Sequence, residues 1–246
     1  MYMTKLKVIV VLPAYNAEKT LRQTVDEIPR DVVDEILLVD DYSHDRTVEL
    51  AKSIGLTVYQ HEMNKGYGAN QKTCYKYALE RGADIIVMLH PDYQYDPKLI
   101  KPFVYFIEND YFDVMLGSRI RTRQETLSGG MPLYKYIANR FLTFIENLVS
   151  GQNLSEWHTG MRAYKKAVLE NIDLNGNSDD FVFDTQILFQ IIDKGYRIGE
   201  IPVPVRYFPE SSTINFADSL KYGIETVWTA FSYLFRRFFT HGKKNH

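Results

Sequence analysis

Cysteine is almost missing from this chain: one residue, Cys74, in 246. A lone thiol cannot close an internal disulfide, so nothing in the sequence asks for an oxidising compartment. An excess of either charge is missing too, since 29 Lys and Arg meet 31 Asp and Glu for a net of −2. Without a basic field, no nucleic-acid partner is expected. No apolar run reaches the roughly 18 residues a spanning helix needs, so no transmembrane helix is expected. Residues 1–7 lead straight into a strand pattern and show no signal-peptide core, which sets the expected location in the cytoplasm. Repeats, linkers and low-complexity tracts are absent. Two phosphate-binding signatures are also lacking. No Gly-x-Gly-x-x-Gly follows the first strand, which argues against a dinucleotide dehydrogenase. No Gly-x-x-x-x-Gly-Lys-[Ser/Thr] occurs, which argues against a P-loop enzyme.

What is present reads as one large α/β domain. Hydrophobic residues make up 45% of the chain, enough for a full core. Short apolar runs predict buried strands at 6–12, 35–39, 57–59, 85–89 and 112–116. Helical spacing fills the gaps at 17–28, 46–54, 69–80 and 97–108, with Asp45 as a cap and Gly55 as a stop. Strand–helix alternation of this kind predicts a mostly parallel sheet with helices on both faces. Beyond residue 117 the pattern loosens. Residues 133–148 are amphipathic and helical, 155–166 are mixed, 184–193 are helical, and the prolines of 197–203 suit a sheet edge. Residues 216–239 predict one long helix. The expected organisation is a domain over 1–215 and an amphipathic helix with a basic tail over 216–246.

Ile85 to Leu89 organises the rest. Its five apolar residues give way to His90, Asp92, Gln94 and Asp96, with Pro91 and Pro97 opposing helix. Ligands in open α/β sheets bind beyond the carboxyl ends of the strands, which is where these side chains fall. Oxygen ligands at 92 and 94 can face one hard cation, Mg²⁺ or Mn²⁺. Pro13-Ala-Tyr-Asn16 and Asp40-Asp41 end two other strands, so three polar clusters line one crevice. Acids, a metal and helix N-termini together suit a nucleotide diphosphate.

Val11-Leu-Pro-Ala-Tyr-Asn16, Leu38-Val-Asp-Asp-Tyr-Ser43, Asn64-Lys-Gly-Tyr-Gly68, Asp92/Gln94, Gly117-Ser-Arg119 and Thr159-Gly-Met-Arg162 stand in the order seen in family 2 glycosyltransferases. Over about residues 5–215 the chain resembles that family, and most of all its dolichyl-phosphate mannose synthase branch. The resemblance implies a single GT-A (Rossmann-like) domain. It also implies a nucleoside-diphosphate sugar donor, GDP- or UDP-linked, and a polyprenyl phosphate acceptor. By the same correspondence Pro13, Tyr15, Asn16, Asp40, Asp41, Lys65, Gly68 and Arg162 contact the nucleotide sugar. Asp92, Gln94 and His90 take the metal positions. Arg119 and Lys135 take the acceptor-phosphate positions, and Asp92, Arg119, Glu156 and Asp184 are the catalytic candidates. There are departures. His90 replaces the first Asp of the metal motif, and an imidazole suits Mn²⁺ better than Mg²⁺. Ala17, Gln186 and Phe208 stand where the branch often has Glu, an acid and a basic residue.

The acceptor decides the chemistry expected. A lipid phosphate is largely ionised at neutral pH, its second pKa lying at about 6, and needs no strong base. A sugar hydroxyl needs one, for which Glu156, Asp180 and Asp184 are candidates, although acids at 179, 180 and 184 also suit a helix start. Leu220, Ile224, Val227, Trp228, Phe231, Leu234, Phe235, Phe238 and Phe239 form an apolar stripe, followed by Arg236, Arg237, Lys243 and Lys244. A peripheral helix on the cytoplasmic face of a membrane would look like this. So would a helix docked on its own domain or in a homo-oligomer.

Overall fold

The computed structural model describes residues 5–120, 122–204, 206 and 216–241. Seven strands form one sheet: β1 (Val8–Ala14), β2 (Glu35–Asp40), β3 (Thr57–Gln60), β4 (Ile85–Leu89), β5 (Val114–Ser118), β6 (Met161–Lys165) and β7 (Ile198–Pro202). Their order is β3-β2-β1-β4-β6-β5-β7. The pairs β1–β2, β1–β4, β2–β3 and β5–β7 are parallel, and β6 lies antiparallel between β4 and β5. Sequence reading missed β6. Arg162 is its second residue and breaks the apolar run by which a buried strand is recognised. The edge position expected for the Pro-containing strand is that of β7.

Helices cover both faces, as alternate strand residues require. Val8, Val10, Leu12, Ile85, Val87 and Leu89 face α1 (Leu21–Asp26), α2 (Thr47–Ser53) and α4 (Ile100–Glu108). Ile9, Val11, Ile86 and Met88 face α3 (Tyr67–Glu80), α6 (Leu133–Ser150), α8 (Phe183–Asp193) and α9 (Phe216–His241). The short α5 (Arg123–Ser128) starts at a capping box between Thr122 and Glu125, and α7 (Lys166–Glu170) follows β6.

The long C-terminal helix is half core and half surface. Thr226, Ala230 and Tyr233 are buried, and Tyr233 stacks on Phe189 at 4.3 Å. Leu220, Ile224, Trp228, Phe231 and Phe235 stay exposed, Trp228 by 74%. Phe208, Lys243 and Lys244 lie outside the described residues, as do the side chains of Phe238 and Phe239. The partner of α9 is α6, whose own outer face exposes Leu133, Ile137, Phe141, Phe144 and Leu148 at three- and four-residue spacing. Two packed helices therefore each carry an apolar stripe to the surface. No helix among the described residues is long and apolar enough to cross a membrane.

Candidate active site at the carboxyl ends of the strands

The first two βα loops are tied to each other. Asn16, at φ 52°, donates its N–H to Ser43 Oγ (2.8 Å), and its Oδ1 accepts from His44 N (2.8 Å). Asp45 accepts from Glu18 N and Thr47 N, and Thr47 Oγ1 accepts from Ala17 N. Tyr15 and Tyr42 are left exposed around His44, so aromatic surface rims the crevice. Pro13 is buried within β1 and shapes the loop from below.

Asp40 and Asp41 are adjacent, buried and differently employed. Asp40 Oδ2 accepts from Ser43 N (3.0 Å) and Gln60 Nε2 (3.2 Å), while its Oδ1 is buried with no hydrogen-bond partner among the described residues. An orphaned carboxylate oxygen is costly unless a ligand donor reaches it. Asp41 instead binds His61 Nδ1 (2.7 Å), Lys65 N (2.8 Å) and Gly66 N (3.0 Å). It fastens the loop 64–68 to the end of β2. Gly68 in that loop donates to Asp179 O (2.8 Å), where a Cβ would lie 2.6 Å from Ser178 O. Glycine is required by this close backbone approach. Lys65 is exposed at the loop tip.

After β4 the chain turns. Asp92 Oδ1 accepts from Gln94 N (3.1 Å), and removal from water pushes the Asp92 carboxyl above the usual range. Gln94 is buried. Desolvation lowers the His90 imidazole. Its Nε2 lies 3.2 Å from Tyr67 Oη, and the two rings stack at 5.4 Å. No group of three His, Cys, Asp or Glu side chains that could hold a metal occurs among the described residues. One carboxylate and one imidazole do fit a cation that also takes substrate phosphate oxygens, the usual pattern for Mg²⁺-type sites. His90, Asp92 and Gln94 would be its protein donors.

Two arginines sit in the second half of the crevice. Arg162 is fully buried. Its Nε donates to Thr159 O (2.8 Å), one terminal nitrogen donates to Trp157 O (3.0 Å), and the same nitrogen lies 3.0 Å from Asp184 Oδ2. Asp184 also accepts from Tyr67 Oη (2.9 Å) and Gln71 Nε2 (3.1 Å). Arg162, expected at the nucleotide sugar, and Asp184, expected as a catalytic acid or base, are thus brought together as a buried pair. Arg119 donates its backbone N–H (2.6 Å) and its Nε (2.8 Å) to Glu156, and a terminal nitrogen bonds both Glu156 and His158 O. Glu156 is fully buried and also accepts from Asn139 Nδ2 (3.0 Å). This catalytic candidate thus orients Arg119. Lys135, at the start of α6, is the neighbour of Arg119: removal from water first, then the Arg119 charge, lowers its ammonium. Asp180 bonds Lys221 and Phe181 N, and Gln186 Oε1 accepts from Ser178 N (2.6 Å).

Sequence reading missed Tyr67, although it lies inside the quoted Asn64–Gly68 motif. It also missed His158, whose Nδ1 bonds Tyr222 of α9 and whose Nε2 lies 3.1 Å from Glu146 of α6. No local signal marks either, since their partners are more than 20 residues away or on other elements.

Residues 9–173 match the glycosyl transferase family 2 description, and the chain belongs to that family. It is 30% identical to the UDP-N-acetylglucosamine–dolichyl-phosphate N-acetylglucosaminyltransferase of Methanococcus voltae, over 81% of this chain and 86% of that one. It is 30% identical to the dolichyl-phosphate hexose transferase of Haloferax volcanii, over 80% and 82%. Among solved structures it is similar to glucosyl-3-phosphoglycerate synthase from Mycobacterium tuberculosis in complex with Mn²⁺, uridine diphosphate and phosphoglyceric acid. The TM-score is 0.70 at 17% identity, covering 93% of this chain and 78% of that one. That likeness extends to the fold.

Proposed function

We propose that this chain is an inverting hexosyltransferase that moves a sugar from a nucleoside diphosphate onto a polyprenyl phosphate at a membrane surface. The observation that carries the acceptor is the placement of Arg119 and Lys135. Lys135 at the head of α6 lies within electrostatic reach of Arg119, and the apolar stripe of α6 begins beside it at Leu133. A phosphate on a hydrocarbon tail matches cations that adjoin exposed apolar surface. The relatives named for dolichyl phosphate support the same reading.

In this reading Asp40 Oδ1 accepts a donor group of the nucleoside, with Tyr15 at the rim. His90, Asp92 and Gln94 would hold the divalent cation, Mg²⁺ or Mn²⁺, which when bound neutralises charge on the departing diphosphate. Arg119, fixed by Glu156, and Lys135 orient the acceptor phosphate for attack on the anomeric carbon from the face opposite the leaving group. No side chain has to remove a proton. Glu156 and Asp184 are buried and bonded to arginines, and Asp180, whose burial is outweighed by its bond from Lys221, is held below the usual carboxylate range. An ionised phosphate needs no base, whereas a hydroxyl would. The exposed stripes of α6 and α9 would rest on the bilayer.

The test is transfer of labelled sugar from UDP- and GDP-sugars, with Mn²⁺, to vesicles carrying polyprenyl phosphate. Label entering the organic phase is expected, together with co-sedimentation of protein and vesicles that Phe141→Ser with Trp228→Ser weakens. Water-soluble glycoside as the product, or transfer that ignores vesicles, would contradict it. Truncating α9 is a poor test, because Thr226, Ala230 and Tyr233 belong to the core.

A further inference from the structure

His90 is the one position of the metal segment where this chain departs from a carboxylate, and its surroundings are built. Tyr67 lies between two rings, His90 at 5.4 Å and Phe181 at 4.8 Å. Gly160 closes the remaining edge: a Cβ there would lie 2.4 Å from His90 Cδ2. The imidazole is thus held in one orientation, with its Cδ2–Nε2 edge against Tyr67 and Gly160.

The hydrogen-bond chain then fixes its tautomer. Asp184 faces Arg162 and is an acceptor only, so the single Tyr67 hydroxyl proton goes to Asp184 Oδ2 at 2.9 Å. The Tyr67 oxygen is left to accept from His90 Nε2 at 3.2 Å, which places the ring proton on Nε2. Nδ1 then carries the lone pair. Among the described residues Nδ1 has no hydrogen-bond partner, and it is not among the sealed-off polar atoms. Asp92 and His90 are each other's leading electrostatic neighbours. Orientation of a metal-binding imidazole through its second nitrogen is a general device, and the orienting chain here is Asp184–Tyr67.

We infer that Nδ1 of His90 is a metal ligand, locked by Tyr67 and Asp184, and that it turns the donor site from Mg²⁺ toward Mn²⁺ and Co²⁺. The physical reason is ligand type. Imidazole binds later transition cations better than Mg²⁺, whose preference is for oxygen. This rests on the reading that a cation bridges the chain to a nucleotide diphosphate.

The test uses the full chain with Mn²⁺ and either UDP or GDP. Electron spin echo modulation on protein carrying ¹⁵N-histidine reads nitrogen bound to Mn²⁺ directly. A nitrogen coupling is expected in the wild type and is lost in His90→Asp. By calorimetry, Mn²⁺ should bind at least about tenfold more tightly than Mg²⁺, and His90→Asp should close that gap by raising Mg²⁺ affinity. Tyr67→Phe should keep nucleotide binding without metal but lower Mn²⁺ affinity by about 10–100-fold, the usual cost of losing an orienting group. Nitrogen NMR should find His90 protonated on Nε2 in the wild type. Mn²⁺ bound with no nitrogen coupling, or a ring protonated on Nδ1, overturns the inference and leaves the donor reading standing. No Mn²⁺ binding with either nucleotide overturns both.

Discussion

Two buried carboxylates, one on the side of the crevice built by β1, β2 and β4 and one on the side built by β5, β6 and α6, are employed in opposite ways. They are Asp40 and Glu156. Both are fully buried carboxylates, Asp40 at the end of β2 and Glu156 in the loop between α6 and β6. Asp40 keeps an oxygen without a partner among the described residues, while Glu156 accepts from Arg119 and Asn139. An open buried oxygen recognises a ligand donor, and a satisfied one positions a neighbour. The first half thus presents its own groups to a donor. The second half uses acids to hold cations, and presents the cations.

The largest expected effect breaks the paired side. Arg162→Met leaves Asp184 buried without its ion partner, at a cost of about 3–5 kcal/mol. Urea unfolding should record it, and a loss under 1 kcal/mol would mean that the pair is solvated. Next come the twin acids of β2. Asp40→Ala should weaken free nucleotide and nucleotide sugar alike, by about 1–3 kcal/mol, with little change in stability. Asp41→Ala should instead cost stability, because three loop donors lose their acceptor. Equal nucleotide losses in both would erase the distinction between them.

Arg119→Ala should raise the acceptor KM about tenfold, roughly 1.4 kcal/mol, with donor affinity near wild type. Glu156→Gln should move the same parameter less. Damage to donor affinity of equal size would move Arg119 to the diphosphate. The smallest effect concerns the far edge of the sheet. Hydrogen bonds from Arg197 first, then Lys165, hold Asp113 well below the usual carboxylate range. A depressed folded pKa contributes stability that is present above the unfolded value of about 3.9 and is lost as pH falls through the folded one. Asp113→Asn should therefore cost about 1 kcal/mol at pH 7, since Arg197 is half exposed. The gap from wild type should vanish in strong acid, and a gap that persists there would point to packing rather than charge.

The same division explains what the sequence reveals. In the first half, β1, β2 and β4 are unbroken apolar runs, and their polar ends are adjacent in sequence, so both strand and site are legible. In the second half, β6 is hidden by Arg162, and the partner of Arg119 lies 37 residues away. The stripe on α9 was readable from spacing, but which of its faces packs inward depends on α6 and α8. The amphipathic pattern of α6 was equally readable, and nothing local told that its apolar side would stay outside. Tyr67 becomes meaningful only when β4 and α8 bring His90 and Asp184 to it. Side chains that act through distant partners leave no periodic signature.

The most direct measurement compares two acceptors that differ only in the phosphate: a polyprenyl phosphate and the polyprenol of the same length, in the same vesicles with the same labelled donor. The account predicts sugar transfer to the phosphate and none measurable to the alcohol. Among the described residues the three candidate bases, Glu156, Asp180 and Asp184, are each bound to a cation, and Arg119 and Lys135 would have no anion to hold. Comparable transfer to the alcohol would contradict it, because that reaction requires the proton acceptor that the buried, arginine-bound Glu156 and Asp184 cannot supply.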